Sequence, residues 1–128
     1  MLLLLAAAFA GGYVPQAMRA RELAATLQTT QLDLRLANLH RLLGVASHEV
    51  QRNNYANASA SARAFFDGCS ALAQSGELAA LPRTQAAITA YASYRDDVMT
   101  HLANGDPQMK ERLAGMYLAM DGVLARRQ

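Results

Sequence analysis

Three histidines and one cysteine are the side chains of this chain whose chemistry could serve a metal site or a nucleophile. His48 and Glu49 begin an HExxH zinc motif, but Arg52 occupies the position of the second histidine, so the motif is absent. Asp97 and His101 lie four residues apart on a predicted helix and could supply two metal ligands. Neither pair is a full ligand set, and we expect no metal and no cofactor.

The remaining candidates for chemistry are equally incomplete. His40 precedes His48 by about 12 Å along a helix axis, which is too far for a shared ion. Cys69 falls among apolar residues at helical spacing, where a free cysteine acts as a small hydrophobe and gains no activation from a helix N-terminus. The sequence has neither a nucleophile-elbow serine nor a glycine-rich phosphate loop. It therefore predicts a protein that is not an enzyme.

The elements that would position these groups are helices. Residues that favour helices (Ala, Leu, Arg, Gln, Glu and Met) dominate the 128 residues, whereas Val and Ile are scarce. Apolar residues recur at spacings of three and four in four segments, as in helices that pack through one face. These four seams are Leu32, Leu36, Leu39, Leu43, Ala46 and Val50; Tyr55, Ala58, Ala62, Phe65, Cys69 and Leu72; Ile88, Tyr91, Val98 and Leu102; and Met109, Leu113, Met116, Met120 and Leu124. The sequence predicts an all-α fold, a small bundle of two antiparallel helical hairpins with four main helices.

Interruptions of the apolar pattern set the helix boundaries. Residues 52–54, of sequence Arg-Asn-Asn, separate the first two helices, and Gly76 ends the second. Pro82 suits the first turn of a third helix, which is predicted to run to Asn104. Residues 106–107, Asp followed by Pro, are an N-cap and a proline at the first position of the fourth helix.

The chain divides into three predicted segments. Residues 1–18 form a transmembrane anchor, residues 19–31 a helical stalk, and residues 32–128 the helical-hairpin bundle. The first long helix after the anchor runs from about residue 17 to residue 52. Gly44 lies inside this helix, and we expect it to permit close packing and not to end the helix.

The anchor prediction rests on the absence of any charged side chain in residues 1–18. Their helical length is roughly 27 Å, slightly short of a hydrocarbon core of about 30 Å. A cleaved export signal is one alternative, because residues 8–10 (Ala-Phe-Ala) fit a cleavage site, although no basic side chain precedes the apolar run. The start of a soluble bundle is the other. The residues assigned to the span and its packing are Leu2, Leu5, Phe9, Gly11, Gly12 and Tyr13.

The flanking charges leave the orientation of the domain open. Arg19 and Arg21 follow the span, and the positive-inside rule then favours a cytoplasmic domain. The similarity of residues 1–18 to an export signal favours an exported domain instead. Our working expectation is a single-span protein of a bacterial inner membrane with its domain on the periplasmic side.

One stretch resembles a known family. The segment GVASHEVQRNNYANASASARAFF resembles a tetratricopeptide-type hairpin, with Tyr55 and Ala58 at the start of the second helix. The resemblance covers about 30 residues and does not recur at the repeat period of that family. The chain is also similar to single-span bacterial envelope proteins that have a small helical domain and no assigned activity. The hairpin resemblance implies protein binding.

Charged and aromatic residues in the second half of the chain are the candidates for partner contact. The charged residues 95–97 are either a solvated helix face or an electrostatic contact to a partner, and the tyrosines are either core or contact residues. The candidate contact residues are Tyr91, Tyr94, Arg95, Asp96 and Tyr117. Positive and negative residues are interspersed around a net charge of +2, so we expect no nucleic-acid binding.

Together these features predict a non-enzymatic, membrane-anchored helical protein. Its expected partners are the lipid bilayer and other membrane protein subunits, as an accessory or stabilising subunit of a larger complex of respiratory or photosynthetic type. One alternative is a homo-oligomeric tethering protein of the envelope that self-associates through residues 17–43. A second is an exported, soluble helical binding protein, whose mature chain would begin at Gly11.

Overall fold

The computed structural model describes the backbone from Leu2 to Arg126 and the side chains from Ala17 to Arg126. Every regular element in that part of the chain is a helix. The helices are α1 (Leu2–Gln51), α2 (Tyr55–Ser75), α3 (Pro82–Ser93), α4 (Arg95–Ala103) and α5 (Met109–Arg126). The predicted all-α class is confirmed, and so are four main helical stretches, because α3 and α4 are two pieces of the third predicted helix.

The third helix is broken at Tyr94, which the sequence did not indicate. Tyr94 has φ −85° and ψ −4°, and its N–H donates to the carbonyl of Tyr91 at 3.0 Å, a tighter turn than an α-helix makes. The hydroxyl of Ser93 donates to the carbonyl of Ala90 at 2.6 Å, and such back-bonding bends helices. Both pieces pack against α2, so the break lets the chain follow the surface of that helix.

The turns agree with the residues that predicted them. Asn53, between α1 and α2, has a φ of 60°, a left-handed conformation that asparagine tolerates. Gly76 ends α2 with a φ of 79°. Before α5, Asp106 Oδ1 accepts a hydrogen bond from the N–H of Gln108 at 2.9 Å. The helix itself begins at Met109, two residues later than the predicted start at residue 107, because this side-chain turn occupies its first residues.

The chain consists of two compact units, residues 1–34 and residues 35–128. We call the second unit the helical head. Its core is built almost entirely from the four predicted seams. The buried apolar residues are Leu36, Leu39, Leu43, Ala46, Val50, Ala58, Ala62, Phe65, Phe66, Cys69, Leu72, Leu78, Ile88, Tyr91, Val98, Leu102, Met109, Leu113, Met116 and Met120. The segment boundaries at residues 18 and 31 stay predictions.

Glycines at two helix contacts of the head let the helices approach closely. A Cβ on Gly44 of α1 would lie 2.8 Å from Cε2 of Tyr117 in α5, closer than packed carbon atoms come. Gly68 of α2 similarly leaves room for the side chain of Leu39 in α1. The prediction that Gly44 permits close packing is confirmed.

In the first unit the structure describes side chains only from Ala17 onward. Every side chain of residues 18–31 is exposed. None of the helices, over the residues described, has a stretch long and apolar enough to cross a membrane. The side chains assigned to the predicted anchor, Leu2, Leu5, Phe9, Gly11, Gly12 and Tyr13, lie outside the described residues. The anchor therefore stays a prediction.

Candidate functional site

A cluster of charged side chains joins the end of α4 to the start of α5. His101 Nδ1 lies 2.7 Å from the carbonyl oxygen of Asp97 and 3.3 Å from its Oδ1, while Nε2 lies 3.9 Å from Asp106 Oδ2. Arg112 forms an ion pair with Asp97. The cluster borders a shallow polar pocket of about 410 Å³. Each carboxylate faces a basic group of the same cluster, so the arrangement ties two helices together.

Asp97 and His101, the pair that could supply two metal ligands, gain no complete ligand set from their neighbours. Over the described residues, no group of three His, Cys, Asp or Glu side chains could hold a metal ion. The side chains of the incomplete zinc motif also diverge, because His48 is exposed whereas Glu49 Oε2 is buried. That carboxylate oxygen makes no hydrogen bond with any described residue.

His40 is part of the contact between α1 and α5. Its ring stacks on Tyr117, with ring centroids 4.2 Å apart and an interplanar angle of 9°. Its Nε2 lies 3.3 Å from Asp121 Oδ1, within ion-pair distance, but the direction does not meet hydrogen-bond geometry and the atom is buried. The contact positions α5 on α1 just where Gly44 leaves room for the tyrosine ring.

Cys69 lies in the core of the head, on the face of α2 that the other helices cover. The thiol is completely buried, and burial raises its pKa to about 12. A thiol with so high a pKa is protonated at neutral pH and is a poor nucleophile and metal ligand. Its expected role in packing is confirmed.

The three candidate contact tyrosines occupy different environments. Tyr91 is in the core, packs edge-to-face on Phe65 at 5.9 Å between centroids, and donates its hydroxyl to the carbonyl of Met116 at 3.4 Å. Burial is the main cause that raises the pKa of Tyr91. Tyr117 is half-buried against His40, and Tyr94 is exposed at the break between α3 and α4. Of the three tyrosines, Tyr94 is the exposed one, so its side chain is accessible to a partner.

The two charged residues that follow Tyr94 also occupy different environments. Arg95 forms an ion pair across to Asp67 of α2, with a distance of 3.0 Å between Nη2 and Oδ1. Asp96 is exposed in the first turn of α4, where a negative charge is favourable at the positive end of the helix dipole. Arg95 therefore holds two helices of the head together, whereas the side chain of Asp96 faces solvent.

Large exposed apolar side chains mark two surfaces, one within residues 17–43, for which the sequence suggested self-association as an alternative, and one on the head that the sequence did not indicate. On α1, Leu23, Leu27 and Leu34 are 61–66% exposed and lie at helical spacing. We call these three residues the leucine stripe. The stalk prediction covered most of this segment, but only the structure reveals that no described side chain of the first unit covers it.

The second surface lies on the head, between α3 and α5. An open groove of about 450 Å³ there is lined mostly by small and aromatic residues, together with Arg112 and Met116. On one side it is lined by Ala87 and Ala90 of α3 and by Tyr94, the residue that follows α3. On the other side it is lined by Gly115 and Ala119 of α5. On the same helix as Gly115 and Ala119, Leu118 is 67% exposed. The sequence shows small residues in α5, but it does not show which face of this helix the rest of the head covers.

No protein-family model matches the chain, and comparison with curated proteins and with solved structures found no match. The exposed surfaces that stand out among the described residues are the leucine stripe and the groove between α3 and α5. Both surfaces are suited to contact with other helices.

Proposed function

We propose that the chain is a non-enzymatic helical protein that binds another protein, as an accessory or stabilising subunit of a membrane assembly. The observation that carries the proposal is the leucine stripe, an exposed apolar face on a helical segment that is exposed all round. The head acts as a compact helical body attached to this binding helix.

The energetics of the stripe support a bound partner. Burying a leucine side chain fully contributes about 1.5–3 kcal/mol, and about two thirds of that surface is still exposed in each of the three leucines. A single helix without tertiary contacts is marginally stable in water. A partner with an apolar helix or groove would cover the stripe and stabilise the helix in the same step.

The environments of the reactive groups also support a binding role. Cys69 is buried and protonated, His40 is stacked in a helix contact, and His101 belongs to an ion-pair cluster. These groups stabilise the head. A contact role for Tyr94 and Asp96, the exposed candidates, remains part of the proposal.

The membrane part of the proposal rests on the sequence of residues 1–18, which carry no charge. Cells expressing the full chain with a C-terminal tag can be fractionated and their membranes extracted with alkaline carbonate. An anchored chain stays in the membrane pellet with its mass unchanged. A chain released into the supernatant, or one shortened at its N-terminus, would contradict an anchor.

The partner can be tested with a variant of the stripe. We expect Leu23→Gln, Leu27→Gln and Leu34→Gln together to abolish co-purification of the partner from gently solubilised membranes, because glutamine preserves helix propensity and removes the apolar face. Ala64→Gln is the matched control, since Ala64 is exposed on α2 of the head and lies outside both the stripe and the groove. Equal recovery of the same partner with both variants would refute the role of the stripe.

A second candidate function is self-association through residues 17–43. The spacing of the stripe favours it, because Ala20, Leu23, Leu27, Thr30 and Leu34 alternate at three and four residues, as in a coiled coil. Leu27→Cys and Leu34→Cys variants test it, since the native thiol is buried and will not react. Self-crosslinked dimers would favour a homo-oligomeric tether, and crosslinks to another protein would favour an accessory subunit.

A further inference from the structure

Gly115 is a glycine that the fold of the chain does not need. It lies inside α5, has no positive φ, and a Cβ added to it would meet no atom within 4 Å. Glycine in a helix interior is less favourable than alanine, so its presence here lowers the stability of the isolated helix. Gly44 and Gly68, by contrast, each make room for a side chain of another helix. The free space at Gly115 is directed outward, away from the core of the head.

Gly115 belongs to a continuous outer face of α5. The residues of this face lie within about 80° of one another around the helix axis and extend over about 22 Å. They are Glu111, Gly115, Leu118, Gly122 and Arg126, which we call the α5 face. The face is open at Gly115 and apolar at its centre, with Glu111 at one end. At the other end the Arg126 side chain covers Gly122, and its Nη2 lies 3.4 Å from the position of a Cβ added there.

The order of residues along the α5 face is self-complementary. In an antiparallel pair of α5 helices, related by a twofold axis near Leu118, Gly115 faces Gly122 of the second copy. In the same register Leu118 faces Ala119 of the second copy, and Glu111 faces Arg126 of the second copy. Close approach at Gly115 thus coincides with a central apolar contact and an opposite-charge pair at each end, for which the Arg126 side chain turns from Gly122 toward Glu111 of the second copy.

We propose that the α5 face is the interface of a symmetric homodimer of this chain. The groove between α3 and α5 provides the recess that the central contact needs. Leu118 of the second copy enters this groove over Gly115 and Ala119, beside Tyr94. The twofold axis repeats the contact, so each copy supplies one leucine and one groove, and the interface closes as a dimer.

The charged ends of the face are available for the pairing. Over the described residues, neither Glu111 nor Arg126 forms an ion pair within the chain. Arg126 donates its Nε–H to the carbonyl of Gly122 at 3.1 Å, which leaves its two terminal nitrogens for a carboxylate. This charge pattern suits a second copy. In the antiparallel register the second copy already places a basic residue opposite Glu111 and an acidic residue opposite Arg126, whereas a partner of a different sequence would need these two charges at the same spacing.

The size of the interface sets the expected affinity. Two helices of this length bury on the order of 1,000 Å² in total, at the lower limit for a specific association. We therefore expect a dimer that dissociates in the micromolar range. Sedimentation velocity of the purified full chain, from low micromolar concentration to about 1 mM, covers that range.

The decisive variant is Gly115→Gln. The side chain projects into open space in the monomer, so the variant folds as the parent does, but it blocks the close approach of the second helix. We expect its dissociation constant to rise at least about tenfold. Ala64→Gln is the matched control, because it adds a side chain at an exposed position of α2 and leaves the α5 face intact. A dimer that is unaffected by Gly115→Gln overturns the proposal.

A charge exchange tests the antiparallel register without adding bulk. Glu111→Arg and Arg126→Glu alone each place like charges together at both ends of the interface and weaken the dimer. The double variant restores opposite charges and recovers dimerisation. Recovery is expected only for an interface in which these two residues face each other across copies. Two single effects that simply add in the double variant overturn the register.

The outcomes also separate this dimer from association through α1. A chain that stays monomeric at every concentration overturns the proposal. A dimer that is lost in Leu27→Gln and retained in Gly115→Gln overturns it as well, and assigns self-association to the coiled coil. Partner binding by the leucine stripe is read from co-purification, so either proposal can fail while the other holds.

Discussion

Replacing Gly44 by alanine adds one methyl group at the contact between α1 and α5. That carbon would lie 2.8 Å from Cε2, 3.4 Å from Cδ2 and 3.6 Å from Cζ of Tyr117. The tyrosine ring is stacked on His40 with centroids 4.2 Å apart, so it cannot turn away without disrupting this stack. The substitution should therefore displace α5 or break the aromatic contact.

The net effect is the difference between two terms. Overpacking of this kind typically costs about 1–3 kcal/mol, whereas alanine gains about 1 kcal/mol over glycine in a helix interior. We expect Gly44→Ala to lower the free energy of unfolding by about 1 kcal/mol. Gly115→Ala is the matched control, because no atom lies within 4 Å of its added carbon. It should raise the free energy of unfolding by about 1 kcal/mol, which leaves a difference of about 2 kcal/mol between the variants.

Urea unfolding followed by far-ultraviolet circular dichroism measures this difference, at concentrations where the chain is monomeric. The midpoint should fall for Gly44→Ala and rise for Gly115→Ala with unchanged slopes, since neither substitution alters the surface exposed on unfolding. In thermal unfolding each kcal/mol corresponds to a shift of about 4–8 °C for a domain of this size. Equal increases in both variants would refute the packing of Tyr117 on Gly44.

Three further predictions concern the head. Burial raises the pKa of Cys69 to about 12 from its ordinary 9.0, so the stability that the protonated thiol contributes is complete below about pH 9 and is lost as the pH rises toward 12. At pH 8 a disulfide reagent should modify the thiol only after urea unfolds the chain, and rapid labelling of the folded chain would contradict its burial. Phe65→Ala, at a fully buried position, should cost about 3–5 kcal/mol in urea unfolding. Asp97→Asn removes the ion pair with Arg112 and the carboxylate contact with His101 but should cost at most about 1 kcal/mol, because these side chains are substantially exposed. A salt titration should reduce this last difference further.

The helices of the head could be predicted because the apolar residues at helical spacing are mostly the buried ones, and the residues that favour turns lie at the turns. The first seam follows the three-four spacing from Leu32 to Val50 and is buried from Leu36 onward, and asparagine and glycine stand where the chain turns. The break at Tyr94 could not be predicted, because residues 83–104 contain neither glycine nor proline. Both pieces pack on α2, and the hydroxyl of Ser93 bonds back to the carbonyl of Ala90; the spacing of apolar residues records neither contact.

The candidate contact residues were harder to predict, since residue type does not reveal which side of a helix is covered. Tyr91 and Tyr94 are three residues apart and chemically identical, yet one is in the core and the other is exposed. Arg95 has an ion-pair partner in Asp67, a residue distant in sequence. The α5 face was missed for the same reason, because Gly115 has meaning only when the space around it is known.

The break at Tyr94 also has a consequence for the motions of the head. It isolates α4 as a helix of nine residues with only Val98 and Leu102 buried, too short to persist without its neighbours. Such a segment can open by local unfolding while the longer α1–α2 hairpin and α5 remain folded. Its amide hydrogens would then exchange with deuterated solvent earlier than those of α2. The break at Tyr94, which lets the chain follow the surface of α2, therefore also makes α4 a segment whose amide hydrogens exchange separately from those of the other helices of the head.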